Sequence, residues 1–196
     1  MRILVTGCNG LLGQKLVELI SSQPDCYLIA TAKSPLIPDL PRGEFHLLNI
    51  TDKTQVNDIV STTKPSVMIN TAAMTQVDQC EFEKEKCWNA NVTSVEHLVE
   101  ACEKNNVHLV HLSTDFIFDG SHGPLDENEK PNPLSYYGES KLAGEKIIEQ
   151  SKIDWAILRT VLVYGVTKDM SRSNIVLWVK QNLEEKKNIN VVNDQF

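Results

Sequence analysis

Short apolar runs separated by helical patterns constrain the fold of this chain more than any other feature. Most runs are apolar throughout rather than alternating, which is typical of strands buried on both faces of a parallel sheet. Apolar residues three or four apart in the intervening stretches indicate helices that pack on one face. The predicted strands are Arg2–Thr6, Tyr27–Thr31, Phe45–Asn49, Ser66–Thr71, Val107–Leu112 and Trp155–Arg159, and the predicted helices are Leu11–Ser22, Lys53–Thr62, Val92–Asn105 and Tyr137–Ser151. This alternation predicts an α/β fold with a doubly wound parallel sheet.

Two segments depart from the alternation. Ala72–Trp88 is mixed and polar, and its run of charges from Glu81 to Lys86 predicts a solvated helix face. Asp119–Ser135 carries three prolines and two glycines between a strand and a helix, which predicts a loop. Loops that follow strands at their carboxyl ends are where such sheets bind ligands.

Length, charge and cysteine usage narrow the class of protein. The 196 residues correspond to about one domain, and 26 acidic against 19 basic residues give a net charge of -7. This charge argues against nucleic acid or a membrane surface as a partner. No apolar stretch is long enough to span a bilayer, and the N-terminal apolar run is too short for a signal peptide, so we expect a cytoplasmic protein. Five cysteines without a CxxC pair predict free thiols rather than disulfides or a metal site.

A glycine-rich turn joins the first predicted strand to the first predicted helix. Gly7, Gly10 and Gly13 follow the spacing G-x-x-G-x-x-G. The first glycine permits a tight turn, the second lets a pyrophosphate approach the backbone, and the third lets the helix pack closely. The helix N-terminus then offers free N–H groups to phosphates. We therefore predict a dinucleotide site, with cofactor contacts from Gly7, Asn9, Gly10, Leu11 and Leu12.

The end of the second strand bears on which dinucleotide is bound. A carboxylate there would hold the adenosine ribose and repel a 2′-phosphate, but Lys33 and Ser34 follow the strand instead. Lys33 is either a phosphate contact or a solvated loop lysine. We predict a preference for NADP(H), with NAD(H) as the alternative.

A tyrosine and a lysine four residues apart provide the candidate catalytic pair. Tyr137 and Lys141 share a helix face, whereas Tyr136 points about a quarter-turn away. An ammonium beside a phenol favours the phenolate, so we expect a lowered pKa for Tyr137. Such a tyrosine can protonate a carbonyl oxygen while hydride reaches the carbon. Thr114, at the end of the fifth strand, can donate a hydrogen bond to the same oxygen, unless Thr114 and Asp115 only turn the chain.

These residues together resemble the extended short-chain dehydrogenase/reductases, and among them the dTDP-4-dehydrorhamnose reductase family. The resemblance covers essentially the whole chain. It rests on the glycine turn, Thr114, the tyrosine–lysine pair and four longer matches. These matches are Asn70–Asp78, Ser113–Gly120, Pro133–Glu145 and Asn193–Phe196.

The resemblance implies an NAD(P)-binding Rossmann fold and hydride transfer to the 4-keto group of a nucleotide-linked sugar. Tyr137 would be the acid, Lys141 its partner and a ribose contact, and Thr114 the hydroxyl donor. The oligomeric state stays open, with a homodimer as one possibility. Further cofactor contacts would come from Asn49, Ile50, Thr71, Ala72 and Ala73, and substrate contacts from Thr75, Val77, Thr114 and Asp115.

The resemblance also predicts the domain organisation and leaves two other functions open. The family continues past Phe196 into a small substrate domain, so we expect residues 1–196 to hold the Rossmann domain and, near 165–196, only the start of a substrate-binding region. One alternative is a nucleotide-sugar epimerase or dehydratase, although Phe116 stands where dehydratases use a second acid. The other is a non-catalytic NADP-binding subunit similar to the regulatory subunit of methionine adenosyltransferase.

Overall fold

One parallel sheet organises the chain. The structure, a computed structural model, describes residues 1–168 and 174–190. The strands are β1 (Arg2–Thr6), β2 (Tyr27–Ala32), β3 (Glu44–Leu47), β4 (Val67–Asn70), β5 (His108–Thr114) and β6 (Trp155–Thr160). They pair in parallel in the order β3-β2-β1-β4-β5-β6. The chain therefore changes its direction of winding at β1 and β4, and the predicted Rossmann fold is confirmed.

Helices cover both faces of the sheet. Leu4, Met68 and Leu109 pack in one core cluster with residues of α2 (Lys53–Thr63) and α5 (Ser94–Asn105). Ile3 and Val5, which alternate with Leu4 along β1, pack on the opposite face with residues of α1 (Leu11–Ser22). The strands are apolar throughout because each face meets its own helix layer. The remaining helices are α3 (Val77–Phe82), α4 (Lys84–Trp88), α6 (Tyr136–Glu149) and α7 (Ile175–Glu184).

The region predicted as a solvated helix face forms the two short helices α3 and α4. A π-helical turn, Asn89–Thr93, joins α4 to α5, and the sequence did not predict it. Asn91 in this turn donates from Nδ2 to Ser140 Oγ of α6 at 3.0 Å and accepts from the backbone N–H of Met74 at 2.8 Å. A Cβ at Gly144 of α6 would lie 2.8 Å from the Asn91 carbonyl oxygen. The π turn and α6 therefore approach each other at backbone distance.

The predicted loop between β5 and α6 is present. A short 3-10 turn, Asp115–Ile117, follows β5 directly, and residues 119–135 form neither helix nor strand. Ser135 then caps α6 by accepting a hydrogen bond from the Gly138 backbone N–H. The match of Asn193–Phe196 to the family lies outside the described residues. None of the helices within 1–168 and 174–190 has the length and apolar character needed to cross a bilayer.

Candidate active site

The predicted site residues line the carboxyl edge of the sheet. Because the strands are parallel and β1 lies at their centre, segments far apart in sequence follow neighbouring strands. The glycine turn follows β1, Lys33 follows β2, and Asn49 and Ile50 follow β3. Thr71, Ala72 and Ala73 follow β4, while Thr114 ends β5 and Tyr137 and Lys141 lie on α6. The edge therefore carries cofactor candidates on one side and catalytic candidates on the other.

The glycine turn has a geometry that side chains would obstruct. Gly7 adopts φ +69, and a Cβ there would lie 2.9 Å from Thr71 Oγ1. A Cβ at Gly13 would lie 2.2 Å from the Gly7 carbonyl oxygen, so α1 packs directly on the turn. Gly10 is exposed, and in α1 neither a capping side chain nor an acidic residue meets the first N–H groups. Such a helix start is suited to an anion.

Asn9 uses its side chain to hold the segment after β2. Its Nδ2 donates to Ser34 Oγ at 3.0 Å and to the Pro35 carbonyl at 2.8 Å, and its Oδ1 accepts from the Ile37 N–H at 2.9 Å. The glycine turn and the loop carrying Lys33 are therefore fixed to each other. A cofactor contact from Asn9 stays a prediction, and its amide already has these partners.

The candidates after β3 and β4 differ in exposure. Asn49 is exposed and its Oδ1 accepts from Thr51, whereas Ile50 is buried. Thr71 donates from Oγ1 to the Thr6 carbonyl at 2.6 Å, and the Ala72 N–H points to Thr6 Oγ1 at 3.4 Å. The backbone between β4 and α3 is thus tied to β1 beside the glycine turn.

Tyr137 and Thr114 meet at the end of β5. The Tyr137 side chain lies close enough to Thr114 for Thr114 to influence its pKa, and its ring packs edge-on against Phe116 with 5.8 Å between ring centroids. Thr114 Oγ1 also accepts from the Phe116 N–H at 3.2 Å, so it caps the 3-10 turn as well as facing Tyr137. Tyr136 instead lies beside Trp88, with Lys84 over its ring. The two tyrosines therefore face different surroundings, as the helix geometry predicts.

The expected lowering of the Tyr137 pKa is wrong for the chain as described. Burial raises the pKa of Tyr137 above its usual value, and the nearby Thr114 side chain only partly opposes this. Asp115, Cys80 and Cys87 add to the increase. The Lys141 ammonium turns toward β5 rather than toward the phenol, so burial outweighs its charge. Tyr137 is consequently a protonated phenol at neutral pH.

Lys141 is a buried cation. Its side chain is 2% exposed, and Nζ donates to the Leu112 carbonyl at 2.6 Å and lies 3.1 Å from His111 Nε2. Burial lowers the pKa of Lys141 to about 8, while the nearby Glu145 and Cys87 act in the opposite direction. Glu145 lies one turn further along α6 and is paired with Arg159 at 2.8 Å. At pH 7 Lys141 therefore remains mostly charged.

The sequence analysis missed two polar residues in this site, His111 and Asn70. Both are 1% exposed, and Asn70 Nδ2 lies 3.0 Å from His111 Nδ1. A polar side chain inside an otherwise apolar strand was the available signal, because a buried histidine or asparagine needs a partner. The partner could not be read from the sequence, since it depends on which strands are neighbours.

The substrate candidates lie above the same edge, while metal-binding chemistry is not evident. Thr75 is exposed before α3, Val77 begins α3, and Asp115 accepts a hydrogen bond from Thr114 at 3.0 Å. All five cysteines are free thiols. Within residues 1–168 and 174–190, no group of three or more His, Cys, Asp or Glu could hold a metal ion.

Comparison with known proteins assigns the family. The family described as RmlD substrate binding domain matches residues 1–196. The chain belongs to this RmlD family. A dTDP-4-dehydrorhamnose reductase of Aggregatibacter actinomycetemcomitans is 36% identical over 165 residues, which are 84% of this chain and 52% of that protein. The chain thus spans about half the length of the curated relatives that it matches.

Two further proteins that are similar to this RmlD-family chain have different functions. A crystal structure of dTDP-4-dehydrorhamnose reductase from Bacillus anthracis in complex with NADP superposes with a TM-score of 0.81 and 29% identity, covering 99% of this chain and 63% of that chain. Methionine adenosyltransferase 2 subunit beta of Xenopus laevis is 30% identical over 90% of this chain and 51% of that protein. The proteins similar to this chain thus include both a reductase and a subunit of another enzyme.

Proposed function

We propose that this chain forms the cofactor-binding and catalytic part of an NAD(P)H-dependent reductase acting on the 4-keto group of a nucleotide-linked deoxysugar. The observation that carries the proposal is the convergence of Thr114, Tyr137 and Lys141 beside a glycine turn at one sheet edge. The similarity to dTDP-4-dehydrorhamnose reductases supports it.

The cofactor site fits a dinucleotide on physical grounds. The turn at Gly7 and Gly10 has no side chains to block an approaching pyrophosphate, and no side chain caps the start of α1 that follows it. Ser113 Oγ, beside Thr114, is a buried hydroxyl with no hydrogen-bond partner among the described residues. Lys33 is exposed after β2, where no acid stands to repel a 2′-phosphate, so NADP(H) is preferred and NAD(H) is the alternative. A reduced nicotinamide supplies a hydride when bound.

The protonation states suit reduction of a carbonyl. A phenol is protonated at neutral pH, and burial raises the pKa of Tyr137 further, so Tyr137 has a proton to donate to the substrate oxygen as the carbon accepts hydride. Thr114 can hydrogen-bond the same oxygen while negative charge develops on it. Lys141, one helical turn away, is the cation proposed to stabilise the phenolate that remains, and this role requires its Nζ to turn from β5 toward Tyr137. Thr75, Val77 and Asp115 are the proposed substrate contacts, and a homodimer stays a prediction.

The test compares two neighbouring tyrosines in the full-length protein. NADPH oxidation is followed with dTDP-4-keto-6-deoxy sugars as substrates. Tyr137→Phe should lower the rate by about a hundredfold or more because it removes the proton donor, while leaving cofactor binding nearly intact. Tyr136→Phe is the matched control and should keep the rate. Activity that survived in Tyr137→Phe but was lost in Tyr136→Phe would refute the assignment.

A non-catalytic role is the second candidate, and the similarity to methionine adenosyltransferase 2 subunit beta favours it. In that role the glycine turn would bind NADP while the chain contacts a catalytic partner. Binding of NADPH without turnover of any keto sugar, together with co-purification with a methionine adenosyltransferase, would support this role over the reductase.

A further inference from the structure

A polar row crosses the carboxyl end of the sheet beneath the candidate active site. Thr6, Asn70 and His111 occupy paired positions on the neighbouring strands β1, β4 and β5. Thr6 Oγ1 lies 2.5 Å from Asn70 Oδ1, Asn70 Nδ2 lies 3.0 Å from His111 Nδ1, and His111 Nε2 lies 3.1 Å from Lys141 Nζ. The row therefore connects the strand before the glycine turn to the catalytic lysine.

Every member of the row is buried. Thr6, Asn70, His111 and Lys141 are each at most 2% exposed. Burial lowers the pKa of His111 well below its usual value, and the charge of Lys141 adds to this effect, so the ring is neutral. Because water does not compete for these groups, each donor in the row must face an acceptor in the row.

A neutral imidazole has one donor nitrogen and one acceptor nitrogen, and this couples the two ends of the row. An ammonium at Lys141 can only donate, so Nε2 of His111 must accept and Nδ1 must carry the proton. Asn70 must then turn its amide oxygen toward Nδ1. A neutral amine at Lys141 allows the reverse, with Nε2–H donating to Nζ and Asn70 Nδ2 donating to Nδ1. The structure shows Asn70 in this second orientation, with Nδ2 toward Nδ1 and Oδ1 toward Thr6, so a charged Lys141 requires the amide to turn over. The charge of Lys141 and the tautomer of His111 therefore change together.

We propose that His111 is a positioning residue for Lys141, holding its side chain and changing tautomer, together with the Asn70 amide, when Lys141 changes charge. Only the predicted effect of His111 on the reaction rate depends on the reductase function proposed above. The end of the row lies at the Ala72 backbone N–H, which points to both Thr6 Oγ1 and Asn70 Oδ1. The charge of the lysine is thereby linked to the backbone proposed to contact the cofactor.

Other ionisable groups also face the lysine and are part of its titration. From α6 itself the group is Glu145, and from α4 it is Cys87. Arg159 of β6 neutralises Glu145 through a two-oxygen contact. The hydrogen bond from a charged ammonium to Nε2 is stronger than the one that a neutral amine receives. Loss of His111 should therefore lower the pKa of Lys141 further.

The first arm of the test reads the ring directly in the full-length protein. Nitrogen-15 NMR of the histidine side chains distinguishes Nδ1–H from Nε2–H. We expect His111 to pass from the first tautomer to the second with a midpoint near pH 8, the value for Lys141, without becoming doubly protonated. In Lys141→Met this transition should vanish. A ring that keeps one tautomer through the titration of Lys141 would overturn the proposal, whatever the activity of the protein.

The second arm reads the rate. A fall of one pH unit in the Lys141 pKa leaves about one lysine in eleven charged at pH 8 instead of one in two. His111→Leu should therefore reduce kcat about fivefold at pH 8 and less than twofold at pH 6. His111→Gln offers an amide oxygen near the Nε2 position and should restore much of the rate at pH 8. His108→Gln, at the start of the same strand, is the control and should match wild type.

The outcomes separate this proposal from the proposed function. If His111→Leu keeps the wild-type pH profile while Tyr137→Phe is inactive, the positioning role is wrong and the reductase stands. If no keto sugar is reduced, the NMR arm still decides the role of His111. A rate loss of the same size at every pH would show a general structural defect and would also overturn the proposal.

Discussion

Replacing Gly13 by alanine tests the close packing of α1 on the glycine turn. The added Cβ would lie 2.2 Å from the Gly7 carbonyl oxygen and 2.7 Å from Cys8 Cα, both backbone atoms. Relief requires a backbone movement of about 1 Å, and overpacking of this kind costs about 1–3 kcal/mol. Because both clashes are with backbone atoms, we place the cost near the upper end of that range, at about 3 kcal/mol. Alanine recovers about 1 kcal/mol through its higher helix propensity. We expect a net loss of about 2 kcal/mol in the free energy of unfolding.

Gly10→Ala is the matched control because its Cβ would meet only the Gly7 carbonyl oxygen, at 3.3 Å, and its backbone has φ -72. Its stability loss should stay below about 1 kcal/mol, which is the cost of alanine at a helix N-cap. Its methyl group would nevertheless point into the path of a pyrophosphate, so NADPH affinity should fall about tenfold or more. Urea unfolding and NADPH fluorescence titration measure the two effects. A Gly13→Ala protein as stable as wild type would refute the packing described for α1.

Two further predictions concern single charges. Lys33→Ala should weaken NADPH binding several-fold and leave NADH binding unchanged, since an exposed lysine–phosphate contact is worth about 1 kcal/mol. Fluorescence titration measures both affinities, and Lys15→Ala on α1 is the control. Glu145→Gln should lower the free energy of unfolding by about 2 kcal/mol because it breaks the buried pair with Arg159, whereas the exposed Glu149→Gln should not. Equal urea midpoints for the two glutamate variants would contradict the importance of that pair.

The parts of the molecule that local patterns specify could be predicted from the sequence. Continuous apolar runs identified the strands, and the glycine spacing placed a tight turn before α1. Helix periodicity separated Tyr137 from Tyr136 correctly. The Tyr137 pKa was mispredicted because sequence spacing shows that a lysine is near but not that its Nζ points to β5.

The buried row under the site depends on information that the linear sequence does not display. Thr6 and Asn70 are 64 residues apart and Asn70 and His111 are 41 apart, and the three meet only because β4 inserts between β1 and β5. The strand order comes from the right-handed crossovers and from which helix covers which face. Polar residues whose partners lie on other strands are therefore recognisable as candidates but not assignable in advance.

The π-helical turn makes the number of residues in it, as well as their identity, a requirement of the contact with α6. Cys87, Asn91 and Val95 all face α6, although they are spaced by four and four. In an α-helix of 3.6 residues per turn, eight residues overshoot two turns by about 80°, which would carry one end of this stripe off α6. The wider π turn absorbs that angle. Deleting one residue from the π turn would convert it into regular α-helix. The deletion would rotate α4 relative to α6 and move Cys87 away from Ser140.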